Sequence, residues 1–168
     1  MNIGTSVPLP AYTIDPAFMA QKAEELGTLA DQLEAERTRA VSAAAAQEPI
    51  SEAHARLAAG DAAGARAALQ RALQGLSGAA RLEPLLLLGV AEFGGERNAE
   101  AVAAFREAQQ VAPRDPRAYT FEARVLLAAN DAAGARRALE RGLARAPGDT
   151  TLTRALRTLE ESSPTGPR

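Results

Sequence analysis

The sequence predicts an all-α fold, a right-handed α-solenoid of about three helix hairpins. The first observation is a stretch that occurs twice. LAAGDAAGARAALQRAL begins at Leu57, LAANDAAGARRALERGL begins at Leu127, and thirteen of the seventeen positions are identical. The second is a less similar unit between them, beginning at Leu85, which brings the period to about 34 residues. Regular periods of this length are typical of solenoids, in which each unit buries its apolar face against its neighbours.

The period is carried by residue size at fixed positions more than by identity. Seven positions of the middle unit have counterparts 34 residues later, and only Glu122, which stands opposite a leucine, differs in size class. Small residues such as Gly89 and Ala101 allow the two helices of a hairpin to cross closely. The pairs are Leu85 with Tyr119, Leu88 with Glu122, Gly89 with Ala123, Ala101 with Ala135, Phe105 with Leu139, Ala108 with Gly142, and Pro113 with Pro147. An offset of 36 residues leads back to the first unit, at Ala53, Ala65, Leu69 and Ala72.

Each unit is predicted to form two helices joined by a polar turn. Glycine, asparagine and aspartate in AGDAAG, FGGERN and AANDAAG supply the C-cap of one helix and the N-cap of the next. Pro113 and Pro147 end the second helix of their units. We expect the second helices at 62–75, 98–111 and 132–145, and the repeat units at 48–79, 82–115 and 116–149.

This spacing resembles that of the tetratricopeptide repeat family. Leu85-x2-Leu88-Gly89, Ala101-x3-Phe105 and the closing proline follow the pattern of that repeat, and the resemblance extends over about 48–161. It implies a module that binds a protein or peptide and has no catalytic role. It also implies that the first helix of each hairpin lines a concave groove.

Projection of the first helices predicts an apolar groove with two arginines at one end. Members of the family that clamp a terminal carboxylate use Lys and Asn here, whereas this chain has Leu, Val and Ile, so the resemblance favours an apolar peptide or helix. Arg117 or Arg124 is then expected to meet an acidic or carbonyl group. The alternative is that the N-terminal helix covers this surface internally. The predicted groove residues are Ile50, His54, Leu57, Leu86, Leu87, Val90, Phe93, Arg117, Phe121, Arg124 and Leu127.

The first 47 residues lack the repeat. Residues 1–15 are expected to form an extended arm, and Asp15 with Pro16 marks the start of an amphipathic helix over 16–47. One stripe of this helix recurs in steps of four and three, as in a heptad pattern. We expect the helix to cap the solenoid, to fill its groove, or to pair with a second copy. The stripe contains Met19, Ala23, Leu26, Ala30, Leu33, Arg37, Ala40 and Ala44.

Residues 3–27, IGTSVPLPAYTIDPAFMAQKAEELG, resemble the opening strand and helix of the deazaflavin-dependent, luciferase-like monooxygenases. Those enzymes are TIM barrels, and the resemblance covers one strand–helix unit of eight. After Gly27 the chain continues as polar helix where that family has a second strand, and a barrel needs at least ~200 residues. We therefore carry over no cofactor site, and three interpretations of the segment stay open: a fused or borrowed leader, a disordered arm, and a β-edge added to a partner.

The C-terminal end is predicted to be a capping helix. Asp149 is a suitable N-cap for a helix over 150–161, in which three leucines form one stripe. A solenoid requires such a helix because its last hairpin otherwise exposes the core. The stripe is Leu152, Leu156 and Leu159, and the tail at 162–168 is expected to be disordered.

Composition excludes several classes of function. A net charge of −2 and a pI near 5.5 provide no global basic field for nucleic acid or an anionic membrane. The chain has no cysteine, which excludes disulfides and thiol chemistry. No apolar run approaches the roughly 20 residues of a membrane span, and no secretory signal is recognised, so a cytoplasmic location is expected. The single histidine, His54, lacks a second ligand or an acid–base partner, so we predict neither an enzyme nor a cofactor.

Two functions follow from these patterns. The first is a peptide-binding adaptor. Three repeats flanked by helices also resemble the architecture of the small chaperones of type III secretion translocators, which implies a chaperone-like role. The second is self-assembly into an oligomer or filament, through the N-terminal arm and helix or through the solenoid ends.

Overall fold

A computed structural model of the chain describes residues 15–162. The chain divides into two compact units, residues 1–38 and 39–168. All regular structure in the described residues is helical, which confirms the predicted all-α class. None of the described helices is both long and apolar enough to cross a membrane. The helices are α1 (Pro16–Ala58), α2 (Ala62–Gly75), α3 (Leu82–Gly94), α4 (Asn98–Val111), α5 (Pro116–Ala128), α6 (Ala132–Arg145) and α7 (Thr150–Ser162), with a 3-10 turn at Gly78–Arg81.

The described part of the first unit belongs to the beginning of α1. The helix starts where the sequence predicts, because the Asp15 carboxylate accepts a hydrogen bond from the backbone N–H of Ala17 at 2.9 Å. The side chains described at 17–38 are exposed. The predicted arm at 1–15 lies outside the described residues except for Asp15, as do residues 3–14 of the segment that resembles a barrel strand. Residues 16–27 are helical.

The predicted boundary at residue 47 has no counterpart in the helix bounds. The helix expected at 16–47 and the first helix of the first repeat are both parts of α1, which contains Pro49. Four alanines at 43–46 favour helix strongly. Pro49 removes one backbone donor and its ring crowds the carbonyl of Ala45, at a cost of about 3 kcal/mol, which the strongly helical alanines before it help to offset.

The second helices of the repeats have the predicted bounds: α2, α4 and α6 begin and end at the residues expected from turn chemistry. The Asp61 and Asp131 side chains accept from the backbone N–H of Gly64 and Gly134 at 2.8 and 2.7 Å. One residue in each preceding turn has a positive φ. These residues are Gly60 at 76°, Glu96 at 61° and Asn130 at 61°. Glycine and asparagine suit this conformation, whereas glutamate tolerates it at some cost.

Within the second unit, consecutive helices from α2 to α7 pack against each other. In addition, α5 contacts both α3 and α7. The core consists of three clusters, one for each hairpin with the helix that follows. They centre on Leu69 with Ala53 and Ala65, on Phe105 with Leu85 and Ala101, and on Leu139 with Tyr119 and Leu152.

Close helix crossing in the middle hairpin depends on one glycine. A Cβ atom built on Gly89 of α3 would overlap the ring of Phe105 on α4, which is 1% exposed. The first and third hairpins have alanine at the position of Gly89 and leucine at that of Phe105. The summed volume of the two side chains at this crossing is therefore similar in the three hairpins. In the middle hairpin the first helix contributes less of it and the second helix more.

α7 begins at its predicted cap. The Asp149 carboxylate accepts from the backbone N–H groups of Thr151 and Leu152, each at 2.9 Å. Leu152 and Leu159 are buried in the third cluster, and Leu156 packs against it, so the predicted leucine stripe faces the core.

Candidate peptide-binding groove

The first helices carry a row of accessible apolar side chains. Val90, Phe93 and Leu127 are 38%, 37% and 41% exposed, large fractions for such residues. Leu57 and Leu87 are half-buried and pack against the same core cluster. These five residues belong to the predicted groove and lie on α1, α3 and α5.

An apolar pocket of about 480 Å³ lies between α5 and α7. It brings together three predicted groove residues, Phe121, Arg124 and Leu127, over a floor that includes Leu139 and Leu159. The ring of Phe121 packs against Phe105 with centroids 5.5 Å apart, which fixes one wall. The pocket forms part of the predicted groove surface, and we refer to it as the α5–α7 pocket.

The α7 side of this pocket was missed by the sequence analysis. It includes Thr151, Arg154, Ala155, Thr158 and Ser162. The 34-residue repeat period could have predicted this side of the pocket. Three of the α7 residues stand 34 positions after groove residues of α5: Arg154 after Thr120, Ala155 after Phe121 and Thr158 after Arg124. α7 therefore occupies the place of a fourth first helix in addition to covering the core.

The two predicted arginines have different surroundings. The Arg117 guanidinium contacts the Asp115 carboxylate at 2.8 Å and Glu83 at 3.0 Å. These hydrogen bonds raise the pKa of Arg117 and lower that of Asp115. Arg117 is thus already paired, and it is not among the residues of the α5–α7 pocket. Arg124 lines the pocket and makes no ion pair with any residue at 15–162.

Three other predicted groove residues, Leu86, His54 and Ile50, do not line the α5–α7 pocket. Leu86 is 3% exposed and belongs to the middle core cluster, so its assignment to an accessible groove is wrong. α3 is apolar on nearly all sides, LEPLLLLGV, and periodicity cannot then separate the core face from the groove face. His54 is exposed, and its Nδ1 lies 3.0 Å from the backbone oxygen of Ile50, which is half-buried. This contact is local to one turn of α1.

A second polar feature lies on the other side of α5. The Glu122 carboxylate is fully buried and accepts hydrogen bonds from Arg106 Nε at 2.8 Å, Gln109 Nε2 at 2.6 Å and Arg141 Nη2 at 2.8 and 3.0 Å. It therefore joins α4, α5 and α6. A buried carboxylate with this many donors satisfies its lone pairs.

Glu122 is the residue that departs from the size pattern, and the first repeat contains its counterpart. Glu52 stands at the same repeat position and pairs with Arg71, which corresponds to Arg141. The middle repeat has Leu88 there instead. Glutamate replaces the large apolar residue at this position because it forms an ion pair between the two helices of its hairpin. The first and third repeats both have this ion pair.

No group of three or more His, Asp or Glu side chains at 15–162 is arranged to hold a metal ion.

Comparisons with known proteins agree with the repeat. Residues 92–159 match the family model of the tetratricopeptide repeat. A solved structure of the UNC-45 chaperone, described for binding and folding muscle myosin, superposes with a TM-score of 0.55 at 20% identity over 69% of this chain. The chain spans only 13% of that protein's length, and the likeness concerns the fold alone. No curated protein matches.

The resemblance of residues 3–27 to luciferase-like monooxygenases finds no support in these comparisons. The resemblance of the repeat region is confirmed by the family match, which runs from the end of α3 to α7. The family match supports a protein-interaction module as the class of function. The family match therefore identifies tetratricopeptide repeats at residues 92–159.

Proposed function

We propose that this chain is a non-catalytic adaptor that binds an apolar peptide or helix of a partner along its first helices, with the α5–α7 pocket as the anchor site. The observation that carries the proposal is an apolar pocket flanked by two arginines, Arg124 and Arg154, neither paired with an acidic residue at 15–162. The repeat units at 48–79, 82–115 and 116–149 are part of the same proposal.

Apolar burial supplies the affinity in this proposal. A partner leucine or phenylalanine that fills the pocket contributes about 1.5–3 kcal/mol. Val90 and Phe93 on α3 extend the apolar surface beyond the pocket, so that further anchors at helical spacing add to the first. The arginines favour partners with an acidic group beside the anchor, since such a group gains a charge-assisted hydrogen bond.

The groove is tested by panning a random peptide library against the full chain and against two variants. Leu127→Glu places a charge in the pocket, and we expect it to abolish enrichment of apolar peptides. Leu26→Glu makes the same change at a position that is 65% exposed in the first unit, and it serves as the matched control. Equal enrichment by the wild type and Leu127→Glu would refute a peptide site in this pocket.

Self-assembly is the second candidate function, and a separate observation favours it. Five large apolar side chains at 17–38 are at least half exposed: Phe18, Met19, Leu26, Leu29 and Leu33. Met19, Leu26 and Leu33 recur every seven residues, and Leu29 takes the intermediate position of a coiled-coil seam. A second copy of this helix buries such a stripe without any contribution from the repeats.

Sedimentation velocity over a range of concentrations tests the second candidate with the same two variants. We expect the wild type and Leu127→Glu to associate, and Leu26→Glu to remain monomeric. A wild type that stays monomeric at high micromolar concentration would rule out the helix as an assembly element.

A further inference from the structure

A second cleft, on the side of the second helices, has a different character from the groove. Its volume is about 670 Å³, and it lies between α4 and α6 above the buried Glu122. We call it the arginine cleft, and its polar lining comprises Arg106, Gln109, Gln110, Tyr119, Arg141 and Arg145.

The arginine cleft carries an excess of positive charge. Three guanidinium groups line it, and no carboxylate is among the lining residues. Glu122 lies beneath and neutralises one of the three, which leaves a net charge of about +2 at neutral pH.

Glu122 also holds two of these arginines in place. It accepts from Arg106 through Nε and from Arg141 through Nη2, which leaves the terminal amino groups of Arg106 and the Nε and Nη1 groups of Arg141 without an acceptor at 15–162. Arg145 makes no hydrogen bond or ion pair within that range. The open donors of Arg106 and Arg141 are therefore held in position by Glu122 before a ligand arrives, which lowers the entropic cost of binding.

We propose that the arginine cleft binds a phosphate monoester, either as a small molecule or on a phosphorylated side chain of a partner. A phosphate monoester carries about −1.5 to −2 charges at pH 7 and three acceptor oxygens, which match the excess charge and the open donors. A carboxylate matches only half of that charge. The volume admits the phosphate together with the group that bears it. The cleft uses α4, α5 and α6 residues outside the α5–α7 pocket, so the proposal does not depend on the peptide groove.

The experiment is a calorimetric titration of the full chain at constant ionic strength with three probes: phenyl phosphate, a phosphoserine peptide and benzoate. We expect at least one phosphate probe to bind, and benzoate to bind about 10-fold more weakly or not at all. Binding of phenyl phosphate identifies the free monoester as sufficient. Binding of the phosphoserine peptide alone identifies the phosphorylated side chain of a partner.

Two variants of equal charge change locate the site. Arg145→Gln removes a cleft arginine without disturbing Glu122, and we expect about 10-fold weaker phosphate binding. Arg157→Gln removes an exposed arginine of α7 that lines neither the arginine cleft nor the α5–α7 pocket, and it should leave phosphate binding unchanged. The proposal is overturned if neither phosphate probe binds, if benzoate binds equally, or if both variants weaken binding to the same extent. Circular dichroism of Arg145→Gln verifies that its fold is intact.

Discussion

The crossing of α3 and α4 offers the sharpest test of how this repeat is built. Gly89→Ala adds a methyl group that overlaps the ring of Phe105, and that ring is buried in the core. Alanine also favours helix over glycine by about 1 kcal/mol. Overpacking of a core costs about 1–3 kcal/mol, and more where the neighbour cannot move. We therefore expect Gly89→Ala to lower the free energy of unfolding by about 1–2 kcal/mol despite its better helix propensity.

A second substitution, Phe105→Leu, is expected to restore part of the stability that Gly89→Ala removes. The first and third repeats combine alanine and leucine at these two positions, as Ala53 with Leu69 and Ala123 with Leu139. Phe105→Leu alone leaves a void and destabilises the fold by about 1–2 kcal/mol. The double variant Gly89→Ala/Phe105→Leu restores the combination used by its neighbours. We expect it to be more stable than the sum of the single changes by about 1–3 kcal/mol.

Urea unfolding followed by circular dichroism at 222 nm measures all three variants. Gly27→Ala is the matched control, because a Cβ there meets no atom within 4 Å, and it should not destabilise the chain. Additive effects in the double variant, or a Gly89→Ala protein as stable as the wild type, would show that this crossing is not tightly packed.

Three further predictions concern the polar residues. Glu122→Leu, which installs the residue of the middle repeat at this position, should lower the free energy of unfolding by about 1–3 kcal/mol in urea unfolding, because it leaves the donors of α4 and α6 without their acceptor, and Glu122→Ala should cost more because it also leaves a void. Asp131→Ala should cost about 1 kcal/mol through loss of the N-cap hydrogen bond to Gly134, and Asp131→Asn, which keeps an acceptor, should cost little in the same assay. The lowered pKa of Asp115 contributes stability that is fully present above the ordinary aspartate pKa of about 3.9 and is lost as the pH falls through the folded value. Asp115→Asn should therefore reduce the loss of stability at acid pH, measured by urea unfolding at several pH values. The same loss of stability in the variant and the wild type would contradict this.

The bounds of the helices could be predicted from the sequence more accurately than the burial of individual side chains. The bounds of α2, α4 and α6 were predictable because each depends on a cap or a proline within a few residues. The role of Asp149 followed for the same reason. Leu86 was misassigned because a helix with leucines on every side provides no periodic signal, and only the neighbouring helices determine which leucine is buried.

The candidate site was predictable in part. Phe121, Arg124 and Leu127 lie together in the α5–α7 pocket, but the opposite wall belongs to α7, which the sequence analysis regarded only as a cap. Arg117 carries the expected charge, yet Asp115 and Glu83 pair with it. Availability of a charged side chain depends on partners up to 34 residues away, and such pairs leave no mark on local composition.

The sequence by itself determined the repeat period, the helical class and the size pattern at each crossing, because these depend on spacing along the chain and on whether a side chain is small or large. Only the tertiary structure decided which leucines are buried, which arginines are paired and how Glu122 is accommodated. The physical reason is that burial and pairing depend on side chains from several helices at once. Glu122 has no unusual neighbours in sequence, and it is stable as a buried carboxylate because α4 and α6 bring three donors to it.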